Sequence, residues 1–98
     1  MTVVRHVVVR GLVQGVGYRA FVEQNALRLG LEGWVRNRRD GAVEAVFSGT
    51  EAAVAEIIAA CRHGPRGAAV ESVDSADGEA ESLAARRAGE RFSILRTA

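Results

Sequence analysis

The sequence predicts an α+β fold of the split βαβ type, with two helices on one face of a mostly antiparallel sheet. Three observations lead to this prediction. A β-branched run over residues 3–13 precedes a helical pattern, two strand patterns then flank an Asp-Gly turn, and a second amphipathic helix follows. The order β-α-β-β-α-β leaves a gap between two parallel strands, and we expect the third strand to fill it in the antiparallel direction.

The first strand and the first helix are indicated by a change in hydrophobic period. Val3–Val13 reads as a strand, and we expect its odd-numbered valines to be buried under helices. Arg19–Leu29 has the spacing of a helix, and Gly30 is typical of a helix end. The apolar face of this helix comprises Phe21, Val22, Ala26 and Leu29.

A β-hairpin is predicted in the middle of the chain. Leu31–Arg38 returns to a strand pattern that contains Asn37 near its end. Asp40-Gly41 favours a tight turn, because such turns need the positive φ angle that glycine adopts readily. The returning strand begins at Val43, where apolar and polar residues alternate again.

The second helix has the clearest amphipathic pattern in the chain. Thr50 is suited to cap its N-terminus, and Gly64 followed by Pro65 is suited to end it. Its apolar stripe follows the spacing i, i+3, i+4, i+7 and consists of Val54, Ile57, Ile58 and Cys61.

The last third of the chain is patterned more weakly. We predict a strand over Ala69–Ala76 and a short final strand at Phe92–Ile94. Between them, residues 77–90 are polar and rich in alanine, which predicts a loop with a short helical turn around Leu83.

Composition narrows the class of protein. The chain has 98 residues and a net charge of +1, so we expect one domain over residues 1–98 and no strong nucleic-acid footprint. Cys61 is the only cysteine, which excludes an internal disulfide and favours the cytoplasm. No apolar run approaches the ~20 residues of a membrane-spanning helix. A monomer is the default expectation. All basic residues are arginine, so lysine chemistry is excluded.

The most informative stretch lies where the first strand meets the first helix. N–H groups at a helix start lack intrahelical partners, and the positive end of the helix dipole lies there. Gly15 and Gly17 allow the backbone to approach a ligand without a Cβ in the way. Arg19 adds a planar, permanently charged fork that suits phosphate oxygens. These residues predict a site for a phosphate group.

Residues 11–19, GLVQGVGYR, form one contiguous motif that contains the loop glycines and Arg19. This motif resembles the signature of the acylphosphatase family, because it meets the pattern Gly-x-Val-Gln-Gly-Val-x-aromatic-Arg at each fixed position. Residues 33–37, GWVRN, and residues 40–44, DGAVE, match the second block of the family, and the likeness weakens between residues 66 and 91. The resemblance implies a ferredoxin-like α/β sandwich and hydrolysis of the carboxyl–phosphate bond of acyl phosphates.

The same resemblance assigns roles to individual positions. Arg19 matches the phosphate-binding arginine of the family and Asn37 its water-orienting asparagine. Leu12 departs from relatives, in which this position is often basic. The resemblance implies that a phosphate is held by the backbone of Gln14, Gly15, Val16, Gly17 and Tyr18.

The chemistry of an acyl phosphate suits this sparse set of residues. Its leaving group is a carboxylate, which needs no general acid, so the protein must chiefly bind the phosphoryl group and direct a water. Arg19 and the loop amides suit the first task, and Asn37 suits the second because its carboxamide both donates and accepts hydrogen bonds. The expected small-molecule partners are an acyl phosphate and inorganic phosphate. We expect no cofactor, and the site contains no candidate metal cluster.

Three other interpretations stay open at this point. Residues 15–20 also fit the dinucleotide fingerprint Gly-x-Gly-x-x-Ala, with Asp40 about 20 residues onward, although the chain is short for a dinucleotide-binding fold. A nucleic-acid reader of this fold would need exposed aromatic residues, of which the sequence has few candidates. A phosphate-sensing domain with slow turnover differs from the enzyme only in its kinetics.

Overall fold

The protein is described by a computed structural model that covers residues 1–98. It contains five strands, two α-helices and one 3₁₀ helix in the predicted order. The bounds are β1 (Thr2–Leu12), α1 (Tyr18–Arg28), β2 (Glu32–Asn37), β3 (Val43–Thr50), α2 (Glu51–His63), β4 (Ala69–Asp77), the 3₁₀ helix (Ala80–Ala85) and β5 (Phe92–Ile94).

The five strands form one sheet in the order β4-β1-β3-β2-β5. Strand β3 lies between β1 and β2 and is antiparallel to both, so β1 and β2 run in the same direction. The short strand β5 adds to β2 in parallel. Because α1 connects β1 to β2, the start of α1 lies at the edge of the sheet where both of these strands end.

Both helices pack on one face of this sheet and share a single core with it. Alternation along the strands directs Val7 and Val9 of β1 and Val35 of β2 to that face, and each is fully buried. The core residues that the helices contribute are Tyr18, Val22 and Ala26 from α1 and Val54, Ile57 and Cys61 from α2. The predicted α+β sandwich of the ferredoxin-like type is therefore confirmed.

The element predictions agree with the structure to within a residue or two. Thr50 caps α2 as expected, since its hydroxyl accepts a 3.2 Å hydrogen bond from the N–H of Ala53. The helical turn expected around Leu83 is the 3₁₀ helix, and it covers Trp34, whose indole N–H donates to the carbonyl of Ser82 at 2.8 Å. Neither α-helix is long and apolar enough to cross a membrane.

Candidate active site

Arg19 and Asn37 lie at the same edge of the sheet although they belong to different elements. Arg19 is the second residue of α1, directly after the loop that leaves β1. Asn37 is the last residue of β2 and pairs with Val43, which also pairs with Val9 of β1. The parallel direction of β1 and β2 therefore brings these two polar side chains to one end of the sheet.

A pocket of about 240 Å³ lies between them. Arg19 is the only charged residue that lines it, and Asn37 is the only other residue with a polar side chain besides the buried Tyr18. A pocket with a cationic group, an amide and no carboxylate is suited to an anion. Its lining residues are Val13, Gly15, Gly17, Tyr18, Arg19, Ala20, Asn37 and Ile94.

The loop before α1 leaves its backbone donors free. None of the N–H groups of residues 14–17 donates a hydrogen bond within the protein. The N-cap of α1, Gly17, offers no side-chain acceptor, and the first turn contains no acidic residue. The first-turn N–H groups of α1 also lack acceptors by helix geometry. A set of unpaired donors at the positive end of a helix dipole is the backbone arrangement that binds phosphate.

The two loop glycines are required by backbone conformation. Gly15 has φ 75° and Gly17 has φ 78°, both in the left-handed region that other residues rarely adopt. A Cβ built at either position meets no atom within 4 Å, so crowding inside the protein does not explain them. Both glycines line the pocket, so a ligand bound there would approach their backbone closely.

The Arg19 guanidinium is not committed to another group of the protein. Its side chain makes no ion pair and no hydrogen bond in the structure, although most other arginines of the chain do. The residue is half-buried and lines the pocket. A partly buried arginine without a partner retains all its N–H donors for a bound anion.

Asn37 contains the only buried side-chain oxygen or nitrogen without a hydrogen-bond partner. This atom is the carboxamide Oδ1, and the Asn37 side chain makes no hydrogen bond through its nitrogen either. A buried acceptor without a donor costs about 1–3 kcal/mol, so it indicates a place where a bound water or ligand belongs. The backbone of Asn37 is held firmly by strand pairing.

Five residues were predicted to form the phosphate cradle, and the structure separates them. Gly15, Gly17 and Tyr18 line the pocket, whereas Gln14 and Val16 do not. The Gln14 side chain is directed to the β2–β3 turn, where it bonds to two carbonyls. Sequence reasoning also missed Val13, Ala20 and Ile94 as lining residues. The position of Ile94 depends on β5 pairing with β2, for which the sequence carries no local signal.

Tyr18 lines the pocket and is itself held in the core. Its hydroxyl donates a 2.7 Å hydrogen bond to the carbonyl of Cys61 in the last turns of α2. Burial raises the pKa of the Tyr18 phenol far above its usual range, and the neighbouring Cys61 raises it further. The hydroxyl therefore stays protonated. Burial likewise raises the pKa of the Cys61 thiol to about 11, which makes the thiol unreactive.

A second and larger cavity, of about 390 Å³, is a weaker candidate for the functional site. It is open to solvent and lies beside the basic residues of the β2–β3 hairpin. Two of its three arginines are already paired, Arg36 with Glu44 at 2.7 Å and Arg38 with Asp40 at 3.4 Å. Because Glu44 and Asp40 partly neutralise these arginines, the pocket of Arg19 and Asn37 is the better anion site.

Most of this chain is similar in sequence to one family of known proteins. A sequence model of the acylphosphatase family matches residues 5–94. A protein of Rhodopseudomonas palustris (strain BisB18) named acylphosphatase is 62% identical over 96 residues, which cover 98% of this chain and 97% of that protein. An acylphosphatase of Bradyrhizobium diazoefficiens is 59% identical over 91 residues, 93% of this chain and 92% of that protein.

A solved structure gives the same result for the fold. The crystal structure of acylphosphatase from Bacillus subtilis superposes with a TM-score of 0.82 at 34% identity. The superposition covers 97% of this chain and 99% of the other. The shared sequence and the shared fold therefore extend over nearly the full length of both chains.

Proposed function

This chain belongs to the acylphosphatase family, and from that premise we propose that Arg19 and Asn37 carry out the hydrolysis of acyl phosphates. Hydrolysis of acyl phosphates follows from membership of the family, and the roles of these two residues are what we propose. The observation that carries it is the Oδ1 atom of Asn37, which is buried without a partner beside a pocket that also contains an uncommitted arginine.

The phosphoryl group is bound by charge and by backbone donors. The free N–H groups of the loop and of the first turn of α1 surround its oxygens, and the Arg19 guanidinium donates to them from the helix. As the bond to the leaving group lengthens, charge is spread over the equatorial oxygens, which these donors stabilise. Because the donors are fixed by the fold, they require little reorganisation during the reaction.

Asn37 holds the attacking water. A water whose O–H donates to Oδ1 has a lone pair free to attack phosphorus in line with the leaving carboxylate. The new bond joins the water oxygen to phosphorus, and the bond between phosphorus and the carboxyl oxygen breaks. The leaving carboxylate takes that electron pair, and one water proton passes to a phosphoryl oxygen. The products are a carboxylate and inorganic phosphate.

We propose that the reaction needs no metal ion and no cofactor. The support is chemical, because a carboxylate leaves without a Lewis acid and the pocket presents cationic and amide donors to the substrate. Acyl phosphates and inorganic phosphate are the small-molecule partners. No role for nucleic acid is proposed, because four of the five aromatic residues are buried and the fifth, Phe21, is partly buried against the core.

We further propose that residues 1–98 act as one acylphosphatase-like domain in a cytoplasmic monomer. One continuous core supports the first point, and a single buried free cysteine supports a reducing location. A single unfolding transition and elution at the mass of one chain in gel filtration are the expected results. Two unfolding transitions would contradict the single domain, and elution as a dimer would contradict the monomer.

One assay tests the proposed mechanism. The purified protein is given acetyl phosphate and benzoyl phosphate with and without a strong chelator, and inorganic phosphate is added as an inhibitor. We expect equal turnover in both conditions and competitive inhibition by phosphate. Loss of turnover with the chelator, restored by a divalent metal, would overturn the metal-free mechanism. Non-competitive inhibition by phosphate would overturn the proposed pocket.

A further inference from the structure

The side chain of Gln14 connects the phosphate loop to the β2–β3 turn. Its Nε2 donates one hydrogen bond to the carbonyl of Arg38 at 2.8 Å and another to the carbonyl of Ala42 at 2.9 Å. Gln14 is the second residue after β1, whereas the two carbonyls lie 24 and 28 positions later in the chain. One carboxamide therefore joins two segments that are distant in sequence.

Both carbonyls also take part in closing the turn. The carbonyl of Ala42 accepts from the N–H of Arg38 at 2.8 Å, and the carbonyl of Arg38 accepts from the N–H of Gly41 at 3.1 Å. Each carbonyl oxygen thus uses one acceptor site within the turn and the other for Gln14. The Gln14 amide is bonded to the turn in its closed form, so it fixes the turn and the loop relative to each other.

This connection lies next to the two halves of the proposed site. Arg38 directly follows Asn37, and Gly15 directly follows Gln14 and lines the pocket. We propose that Gln14 is a positioning residue that sets the separation between the bound phosphoryl group and the Asn37 carboxamide. The proposal deepens the proposed function and rests on it. It predicts an effect on the attacking water, with phosphate binding itself retained.

The role requires the chemistry of glutamine at this position. The two hydrogens of one Nε2 atom serve two carbonyls at once, which a hydroxyl or a protonated carboxyl, each with one hydrogen, does not achieve. Asparagine has the same amide on a side chain that is one methylene shorter. Methionine has nearly the same length and shape with no donor at all.

The test compares Gln14→Met with Gln24→Met. The side chain of Gln24 is exposed on α1 and makes no hydrogen bond, so this position controls for the chemical change. We expect Gln14→Met to lower kcat by ~10- to 100-fold, the scale expected when reacting groups are displaced by about 1 Å. The KM and the inhibition constant of phosphate stay within about threefold, because the cradle and Arg19 are intact. The Gln24→Met variant keeps the kcat of the wild type.

Two results would overturn the proposal. One is an unchanged kcat in Gln14→Met. The other is a loss of phosphate inhibition as large as the loss of kcat, because Gln14 would then shape the cradle itself. If Gln14→Met does not fold, as judged by far-UV circular dichroism, Gln14→Asn is measured instead. It keeps the amide but is too short to reach both carbonyls, and the same results are expected and the same ones overturn the proposal.

A double-mutant cycle separates positioning from general support. If Gln14 acts through Asn37, then Gln14→Met lowers the rate of Asn37→Ala by no more than about twofold, since the water is already misplaced. The proposal would be overturned if Gln14→Met lowered the rate of Asn37→Ala by the same factor as it lowers the rate of the wild type. Full activity in Asn37→Ala alone would refute the role of Asn37 in the proposed function. The single comparison with Gln24→Met would still decide whether Gln14 affects the rate.

Discussion

The hydroxyl of Tyr18 donates to the carbonyl of Cys61 across the two helices, with 2.7 Å between the oxygens. Tyr18 is the first residue of α1, and the Cys61 carbonyl lies in the final turn of α2, where carbonyls lack intrahelical partners. The bond therefore satisfies an orphan acceptor of one helix and anchors the start of the other. The anchored residue immediately precedes Arg19, so the proposed site depends on this contact between the helices.

Removing this hydroxyl tests its contribution to stability. We expect Tyr18→Phe to reduce the free energy of unfolding by about 1–3 kcal/mol, because the Cys61 carbonyl would stay buried without a donor. Urea denaturation followed by tryptophan fluorescence measures the change. A free energy of unfolding equal to that of the wild type would mean that water replaces the hydroxyl.

Arg19→Ala tests the charge in the pocket. We expect kcat/KM for benzoyl phosphate to fall more than ~100-fold, equivalent to about 3 kcal/mol or more, because a bound anion loses its only cationic side chain. Inhibition by phosphate should weaken in parallel. Arg28→Ala is the matched control, since Arg28 lies at the other end of α1 in an exposed ion pair with Glu56. Near-native turnover in Arg19→Ala would refute the site.

Asn37→Ala tests the water-holding group. We expect kcat to fall about 100-fold while the KM and phosphate inhibition change little, because the phosphoryl group is bound by other residues. The free energy of unfolding should not decrease, since the Asn37 side chain makes no hydrogen bond and its Oδ1 is buried unpaired. Asn25→Ala on α1 is the control for kcat. A rise in KM without a change in kcat would place Asn37 in ground-state binding instead.

Acid should remove the stability that Glu44 contributes on the open face of the sheet. Burial by itself raises the pKa of this carboxyl, but hydrogen bonds from His6 at 2.6 Å and Arg36 at 2.7 Å outweigh it and lower the pKa. The stabilisation is complete above the ordinary glutamate pKa of about 4.3 and is lost as the pH falls through the lower folded value.

Denaturation between pH 2 and pH 7 measures this effect. The free energy of unfolding of Glu44→Gln should be lower than that of the wild type at neutral pH, and the two should converge as the pH falls. Glu56→Gln, at an exposed carboxylate on α2, serves as the control and should follow the wild type. A constant difference between Glu44→Gln and wild type across this range would contradict the assigned shift.

The order of the elements and the identity of the two polar residues were predicted from the sequence because both depend on local signals. The 3.6-residue and two-residue periods, the cap at Thr50 and the Asp-Gly turn each act over a few neighbouring positions. Arg19 and Asn37 stood out because each belongs to a motif of contiguous residues that resembles a known family. Whether the two act together in catalysis stays a prediction.

Other features depended on pairings between distant segments, which local patterns do not specify. Gln14 was predicted to contribute its backbone to the cradle, yet its side chain bonds to carbonyls 24 and 28 positions away. Likewise, Ile94 reaches the pocket only because β5 pairs with β2. His6 contacts Glu44 only because β1 pairs with β3. The sequence alone determined which elements form and which residues carry charge. Tertiary packing decided which side chains share an environment, because contacts between strands and loops depend on register and chain path rather than on neighbouring residues.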